Sequence, residues 1–288
     1  MGDHLARGEE YERKAEKKLN SCRWWGYKVA KATNLFRQAA FRFKLAKSWD
    51  RAGSAYTEAA KCHLKCKNTY GAARAYVLAA DCYRKTSSKE AITCLEQAVN
   101  LFKNVGSLTS AATYYEDIGE LYESEQNLER AVDNFERAAD LFKFEEVIPR
   151  VCECKEKLAQ FAAQLEQYQK ATEVYEEIAL YYLKEGLKFA LRKCLLHAGL
   201  CQLSKVDIVA IENALARYQE LDPTFSETSE CRFLKDIANA IDKVDAVKLT
   251  DTVKEFTGIT FLDSWKATLL LRVKEKLEVM ELRNGYLR

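Results

Sequence analysis

A small residue, an aromatic or leucine, a second small or branched residue and a further apolar group recur along this chain, almost always every twenty residues. Ala32–Phe36–Ala39–Phe43 sets the pattern. It returns at Ala52–Tyr56–Ala59–His63, Ala72–Tyr76–Ala79–Tyr83, Ala91–Leu95–Ala98–Phe102, Ala111–Tyr115–Ile118–Tyr122, Ala131–Phe135–Ala138–Phe142 and Ala171–Tyr175–Ile178–Tyr182. One step, from Ala72 to Ala91, is nineteen, and at Val151 the pattern is degraded but in phase. Internal spacings of 4, 3 and 4 put all four side chains on one face of a helix. Each unit is therefore one amphipathic helix of about fourteen residues, roughly 21 Å long. The intervening residues carry turn chemistry, as in Asn68-Thr69-Tyr70-Gly71 and Asn104-Val105-Gly106-Ser107.

A helix with such a face cannot bury it alone. Two successive helices make a hairpin of about forty residues, and stacked hairpins make a tetratricopeptide-like solenoid, stabilised by nearest-neighbour contacts and offering a continuous binding surface. The expected fold is all-α: a solenoid of antiparallel helical hairpins over 1–185, where the beat is expected to stop, then a C-terminal helical bundle over 186–288. Pro223 ends one helix there, and Ser226 or Thr228 can cap the next, with Glu230 following in its first turn.

Composition agrees. Only 2 Pro and 11 Gly interrupt 288 residues, and Lys+Arg 45 against Asp+Glu 43 leaves a formal +2, far from the basic excess of a general nucleic-acid binder. The ten cysteines sit mostly in apolar helical patterns, a cytosolic habit, and the charged first residues do not read as a targeting signal. No stretch approaches the roughly 18–20 apolar residues that span a bilayer. Signs of catalysis are missing. Three scattered histidines, Cys62 with Cys66, and Cys152 with Cys154 do not make a metal site, and no Walker loop, dinucleotide turn or Gly-x-Ser-x-Gly is present. The reading is a binding protein, not an enzyme, with no cofactor and no metal.

One segment breaks the repeat logic. Asn20 to Lys28 places Trp24, Trp25 and Tyr27 in a polar connection with Arg23 and Lys28. Either a tryptophan caps the open end of the solenoid, or the aromatics form a wedge for a membrane interface with the cations on anionic headgroups.

Phe43-Lys44-Leu45-Ala46-Lys47-Ser48-Trp49 before Ala52-Gly53, Phe161-Ala-Ala-Gln-Leu-Glu-Gln-Tyr-Gln-Lys-Ala171, Glu230-Cys231 after Asp222-Pro223, and Leu262-Asp263-Ser264-Trp265 leading to Leu270-Leu271-Arg272-Val273-Lys274 resemble the alpha-type soluble NSF attachment proteins. The match runs in order over essentially the whole chain. It implies an adaptor for vesicle fusion and intracellular protein transport. In that family several copies wrap a SNARE four-helix bundle, an N-terminal loop touches the membrane, and the C-terminal ends recruit the hexameric AAA+ ATPase NSF. It also implies a cytoplasmic protein peripherally associated with membranes.

Carried over position by position, the membrane loop near 20–28 has Trp24 and Trp25 where the family has bulky aromatics, with Arg23, Tyr27 and Lys28 beside them. The SNARE-facing cations are Lys44, Lys47, Arg84, Lys85 and Lys157; Thr113 and Glu153 stand where lysine is expected. On the ATPase side the resemblance implies Asp207, Asp236, Asp242, Asp245 and Leu287, while Asn239 and Lys243 replace acidic residues. The tail Arg283-Asn284-Gly285-Tyr286 replaces an acidic run. Each lost rim charge is worth about 0.2–1 kcal/mol, so the expectation is a divergent member with weakened NSF coupling. The alternative is a tetratricopeptide-like scaffold for other protein partners.

Overall fold

The structure is a computed structural model that describes residues 2–19 and 25–286; the side chains of residues 25–26 and 284–286 fall outside it. Fourteen α-helices and one short 3-10 helix make up the described residues: α1 Gly2–Leu19, α2 Trp25–Leu45, α3 Trp49–Lys65, α4 Thr69–Tyr83, α5 Ser88–Asn104, α6 Leu108–Ser124, α7 Leu128–Phe144, α8 Ile148–Gln164, α9 Tyr168–Lys184, α10 Lys188–Leu203, α11 Ile208–Leu221, α12 Ser229–Asp242, α13 Ala246–Thr257 and α14 Ser264–Tyr286. The 3-10 helix, Pro223–Glu227, lies between α11 and α12. Two compact units divide the chain, 1–151 and 152–288.

The beat is the core. Ala32, Ala39, Ala52, Ala59, Ala72, Ala79, Ala91, Ala98, Ala111, Ala131, Ala138 and Ala171 are all fully buried. Helices approach closely over these alanines, while Phe36, Tyr56, Leu95, Phe135 and Phe142 fill the grooves between them. Contrary to the expectation, the beat does not stop near 185. Leu191–Leu195–Ala198–Gln202 and Ile211–Leu215–Tyr218–Asp222 keep the phase and are buried throughout.

The turns repeat as strictly. A left-handed residue follows each of the helices α2, α3, α5, α6, α7, α8, α9 and α10: Lys47, Lys67, Gly106, Gln126, Glu146, Glu166, Gly186 and Val206. After the first seven of these, the next residue donates its backbone N–H to the carbonyl five residues back, as Ser48 does to Phe43 and Ser107 to Phe102, both at 2.9 Å. That is a Schellman closure. The turn after α4 is the exception and explains the step of nineteen. No left-handed residue occurs there, and Ser87 N–H reaches Tyr83 one residue earlier, at 2.7 Å.

Valine is a poor choice for this conformation, because its branched Cβ crowds the backbone. Val206 (φ 60) and Val244 (φ 50) are therefore strained. Val206→Gly is expected to raise unfolding stability by about 1 kcal/mol, visible as a higher thermal midpoint. An unchanged or lower midpoint would refute this reading.

In the second unit, Thr228 rather than Ser226 caps α12, accepting from Cys231 N–H at 3.1 Å, and Asp222 accepts from Thr224 N–H at 3.1 Å to open the 3-10 helix. The long α14, 23 residues, is tied down by its cations. Arg272 donates to the Gln164 carbonyl at 3.0 Å and Lys276 to the Ser204 carbonyl at 2.9 Å, so positive charge sits at the C-terminal ends of α8 and α10. No described helix is long and apolar enough to cross a membrane.

Candidate functional site: cationic turns, aromatic entry and acidic caps

Four of the expected cations gather on one edge of the first unit. The turns after α2 and after α4 lie side by side, because the helices alternate in direction. Thr86 Oγ1 donates to Asp50 Oδ1 at 2.5 Å and joins the two. Lys47, on the left-handed turn, and Lys85 are exposed; Lys44 is half-buried one helical turn earlier. Arg84 differs, since it pairs with Asp117 of α6 at 2.8 Å. Burial pushes the Asp117 carboxyl up and Arg84 pulls it back. Arg84 is thus partly engaged in joining α4 to α6, and the exposed charge of this edge rests mainly on Lys47 and Lys85. Lys157 belongs to the second unit, half-buried with its ammonium 5.5 Å from the centre of the Phe161 ring. Thr113 is exposed and donates to the Thr109 carbonyl at 3.1 Å, and Glu153 is exposed on α8.

At the N-terminal end, Arg23 and Trp24 lie outside the described residues, as does the side chain of Trp25. The expected connection is shorter than the sequence suggests. Helix α2 begins at Trp25, so Tyr27 and Lys28 are helical and not in a loop. Tyr27 is 72% exposed, and Lys28 is half-buried. Arg51 of α3 holds α1 in place, donating to Glu9 at 2.5 Å and Glu12 at 2.8 Å and lying 4.3 Å from the centre of the Phe43 ring. Gly8 permits this docking, because a Cβ there would come within 2.5 Å of that same ring.

Two of the four aspartates expected on the ATPase side have local work. Asp207 caps α11, accepting from Ala210 N–H at 3.1 Å, and Asp245 caps α13, accepting from Lys248 N–H at 2.8 Å. Asp236 is half-buried beside the stacked pair Phe233 and Phe256, whose centroids are 4.0 Å apart. Asp242 is exposed, in a groove between α11 and α12 that also includes Glu212 and Asn239. Leu287 lies outside the described residues. Among the described residues no group of three or more His, Cys, Asp or Glu side chains is placed to hold a metal ion. Among the described residues nine cysteines are free thiols and one of them, Cys66, is exposed; burial raises Cys82 and Cys152 to about 11 and Cys194 and Cys201 to about 12.

The sequence profile of the family described as "Soluble NSF attachment protein, SNAP" matches residues 6–278. The chain belongs to this family. It is 52% identical to the alpha-soluble NSF attachment protein of Vitis vinifera over 98% of both chains. It is 33% identical to the alpha-soluble NSF attachment protein of Homo sapiens over 87% of this chain and 85% of that one. The Saccharomyces cerevisiae alpha-soluble NSF attachment protein is 30% identical over 88% of each.

The first-unit edge therefore belongs to a member of a family of attachment proteins, and Lys47 and Lys85 are exposed cations on it. Sequence reasoning missed Arg37, Phe41 and Arg42, which form a second face on α2. Their spacing with Asn34 was the available signal: 34, 37, 41 is as helical a stripe as the core stripe 32, 36, 39, 43.

Proposed function

We propose that this chain is a non-enzymatic adaptor that attaches NSF to SNARE complexes in vesicle fusion and intracellular transport. The observation that carries the reading is near full-length identity of 52% to an alpha-soluble NSF attachment protein. Cations at neighbouring turns support it, since exposed ammonium groups steer and orient an acidic partner even where each adds little affinity. In this reading Lys44, Lys47, Arg84, Lys85 and Lys157 meet the acidic surface of the SNARE four-helix bundle. Trp24, Trp25 and Tyr27 enter the membrane interface with Arg23 and Lys28 on the headgroups. The ATPase is met by Asp207, Asp236, Asp242, Asp245 and Leu287, and coupling to it is weakened by the arginine-bearing tail. The protein works in the cytoplasm at membrane surfaces, without nucleic acid.

A reconstituted disassembly assay tests both ends. Lys47→Glu with Lys85→Glu is expected to weaken co-sedimentation with a SNARE bundle about tenfold, more at low salt than at high. Replacing Arg283–Tyr286 by acidic residues is expected to raise NSF-driven disassembly. Unchanged bundle binding in the first variant would remove the edge from the site. A wild-type rate equal to that of the acidic-tail variant would remove the weakened coupling.

A further inference from the structure

Helix α2 has two faces. Val29, Ala32, Phe36, Ala39 and Phe43 are buried in the hairpin core. The opposite stripe faces a groove with a cavity volume of about 480 Å3, walled by Tyr11 of α1, Arg37, Phe41 and Arg42 of α2, Tyr56 of α3 and Leu78 of α4. Asn34 and Gln38 add amide donors along the same wall. This volume is in the range of ligand pockets and holds one or two side chains, not a whole helix.

The groove's chemistry is lopsided. Its lining has two guanidinium groups and no carboxylate. Three acids of the neighbouring helices have other partners: Glu9 and Glu12 hold Arg51, and Glu58 holds Lys61 at 2.6 Å. Arg37 is exposed, Arg42 half-buried, and neither forms an ion pair among the described residues. Burial raises the Tyr56 phenol while Arg37 opposes the rise, so the cation's field reaches the groove floor. Asp81 of α4 also acts on Tyr56 but pairs with neither arginine. Phe41 stands 54% exposed between the arginines in sequence, an apolar group held out toward solvent.

Guanidinium forks suit carboxylates, and aromatic walls suit one bulky apolar side chain. We infer that this groove binds a short acidic peptide segment of a partner protein, carboxylates on Arg37 and Arg42 and an apolar side chain against Phe41 and Tyr11. The site is separate from bundle recognition by the lysine-bearing turns, and it needs no assembled four-helix bundle.

The test is fluorescence anisotropy at low and moderate salt. The probe is a capped peptide carrying two acidic residues on either side of one phenylalanine. Wild-type protein is expected to bind it, and Arg37→Glu with Arg42→Glu to weaken binding at least about tenfold. Phe41→Ser, or alanine in place of the peptide's phenylalanine, should cost several-fold. Lys85→Glu with Lys157→Glu should leave peptide binding unchanged while weakening the SNARE bundle, so failure of the bundle reading and of this one can be told apart. Arg37, Gln38 and Phe41 are exposed, and matched circular dichroism and melting curves would exclude unfolding. Equal binding of a lysine-for-acid control peptide, or binding indifferent to the arginine reversals, would overturn the proposal. So would arginine-dependent flotation with phosphoinositide-containing vesicles in the absence of peptide binding, which would assign the groove to a lipid headgroup.

Discussion

Phe102→Ala is expected to destabilise the first unit by about 3–5 kcal/mol, a large share of the stability of an ordinary domain. Phe102 is 2% exposed in the last turn of α5 and is shared by three helices. It stacks on Tyr114 of α6 with centroids 5.4 Å apart and meets the edge of Tyr70 of α4 at 5.7 Å. Removing the ring loses its burial, both aromatic contacts and the wedge that joins successive hairpins. Nearest-neighbour contacts carry most of the stability of a repeat array, so the damage should also reduce cooperativity. Urea unfolding should show an earlier midpoint and a shallower transition. Phe41→Ala is the matched control: the same chemistry at a 54% exposed site should stay within about 0.5 kcal/mol. A loss below 1 kcal/mol for Phe102→Ala would mean that the array does not depend on this wedge.

That contrast also shows why part of the fold was legible in sequence and part was not. Ala91, Leu95, Ala98 and Phe102 announce a buried helical face because the polar Thr93, Glu96, Gln97 and Asn100 fall on the opposite side of the helix. Helix α10 hides the same register. Leu191, Cys194, Leu195, Leu196, Ala198, Gly199, Leu200, Cys201 and Leu203 are all buried, so from Cys194 to Leu203 the helix is buried on every side and its period is blurred. The beat therefore faded from view near 185 while the chain kept it through Tyr218. Gly199 shows how tightly α10 is enclosed: a Cβ there would come within 2.5 Å of Leu234 on α12.

The candidate site was legible where charge stood at a turn and obscure where a residue had two possible jobs. Lys47 and Lys85 were marked by the family resemblance, and both stand exposed at turns of the first unit. Asp207 and Asp245 precede apolar helical runs, which is the signature of an N-cap, and the structure gives them that work. Arg84 could not be distinguished from its neighbours in sequence, because its partner Asp117 lies one hairpin away. The Arg37–Arg42 face went unnoticed for a related reason: once a helix has one convincing face, its second is read as solvated surface.

The second large effect is acid lability of the second unit, centred on His197. Its ring is 5% exposed, edge-on to Tyr175 of α9 at 5.1 Å and to Trp265 of α14 at 5.1 Å, and neither ring nitrogen has a hydrogen-bond partner. Charged and titratable groups around it offer an imidazolium no relief. On α14 Lys266 is 7% exposed, paired with Asp263 at 2.9 Å; on α10 Lys193 pairs with Glu156 at 2.8 Å. Tyr175, Cys194 and Cys201 are held neutral by burial. Burial first, then Lys266 and Lys193, push the His197 pKa well below its ordinary value. Above about pH 6.5 the ring is neutral in both folded and unfolded chains, and it contributes no pH dependence. Below that, the unfolded chain takes up a proton that the folded one refuses, and stability falls by about 1.4 kcal/mol per pH unit until the folded pKa is reached. Asp222 does not obscure this window. Burial works to raise Asp222, but bonds from Thr224 and Arg192 outweigh it and hold the group below its usual range, so its contribution fades only below about pH 4. His197→Phe should keep the aromatic packing and remove the proton. Between pH 6.5 and 5 its stability should fall less steeply than wild type by up to that slope. An equal slope in the two proteins would place the acid sensitivity elsewhere. His63 is the natural next candidate, because burial and Arg37 lower it in the same direction within the first unit.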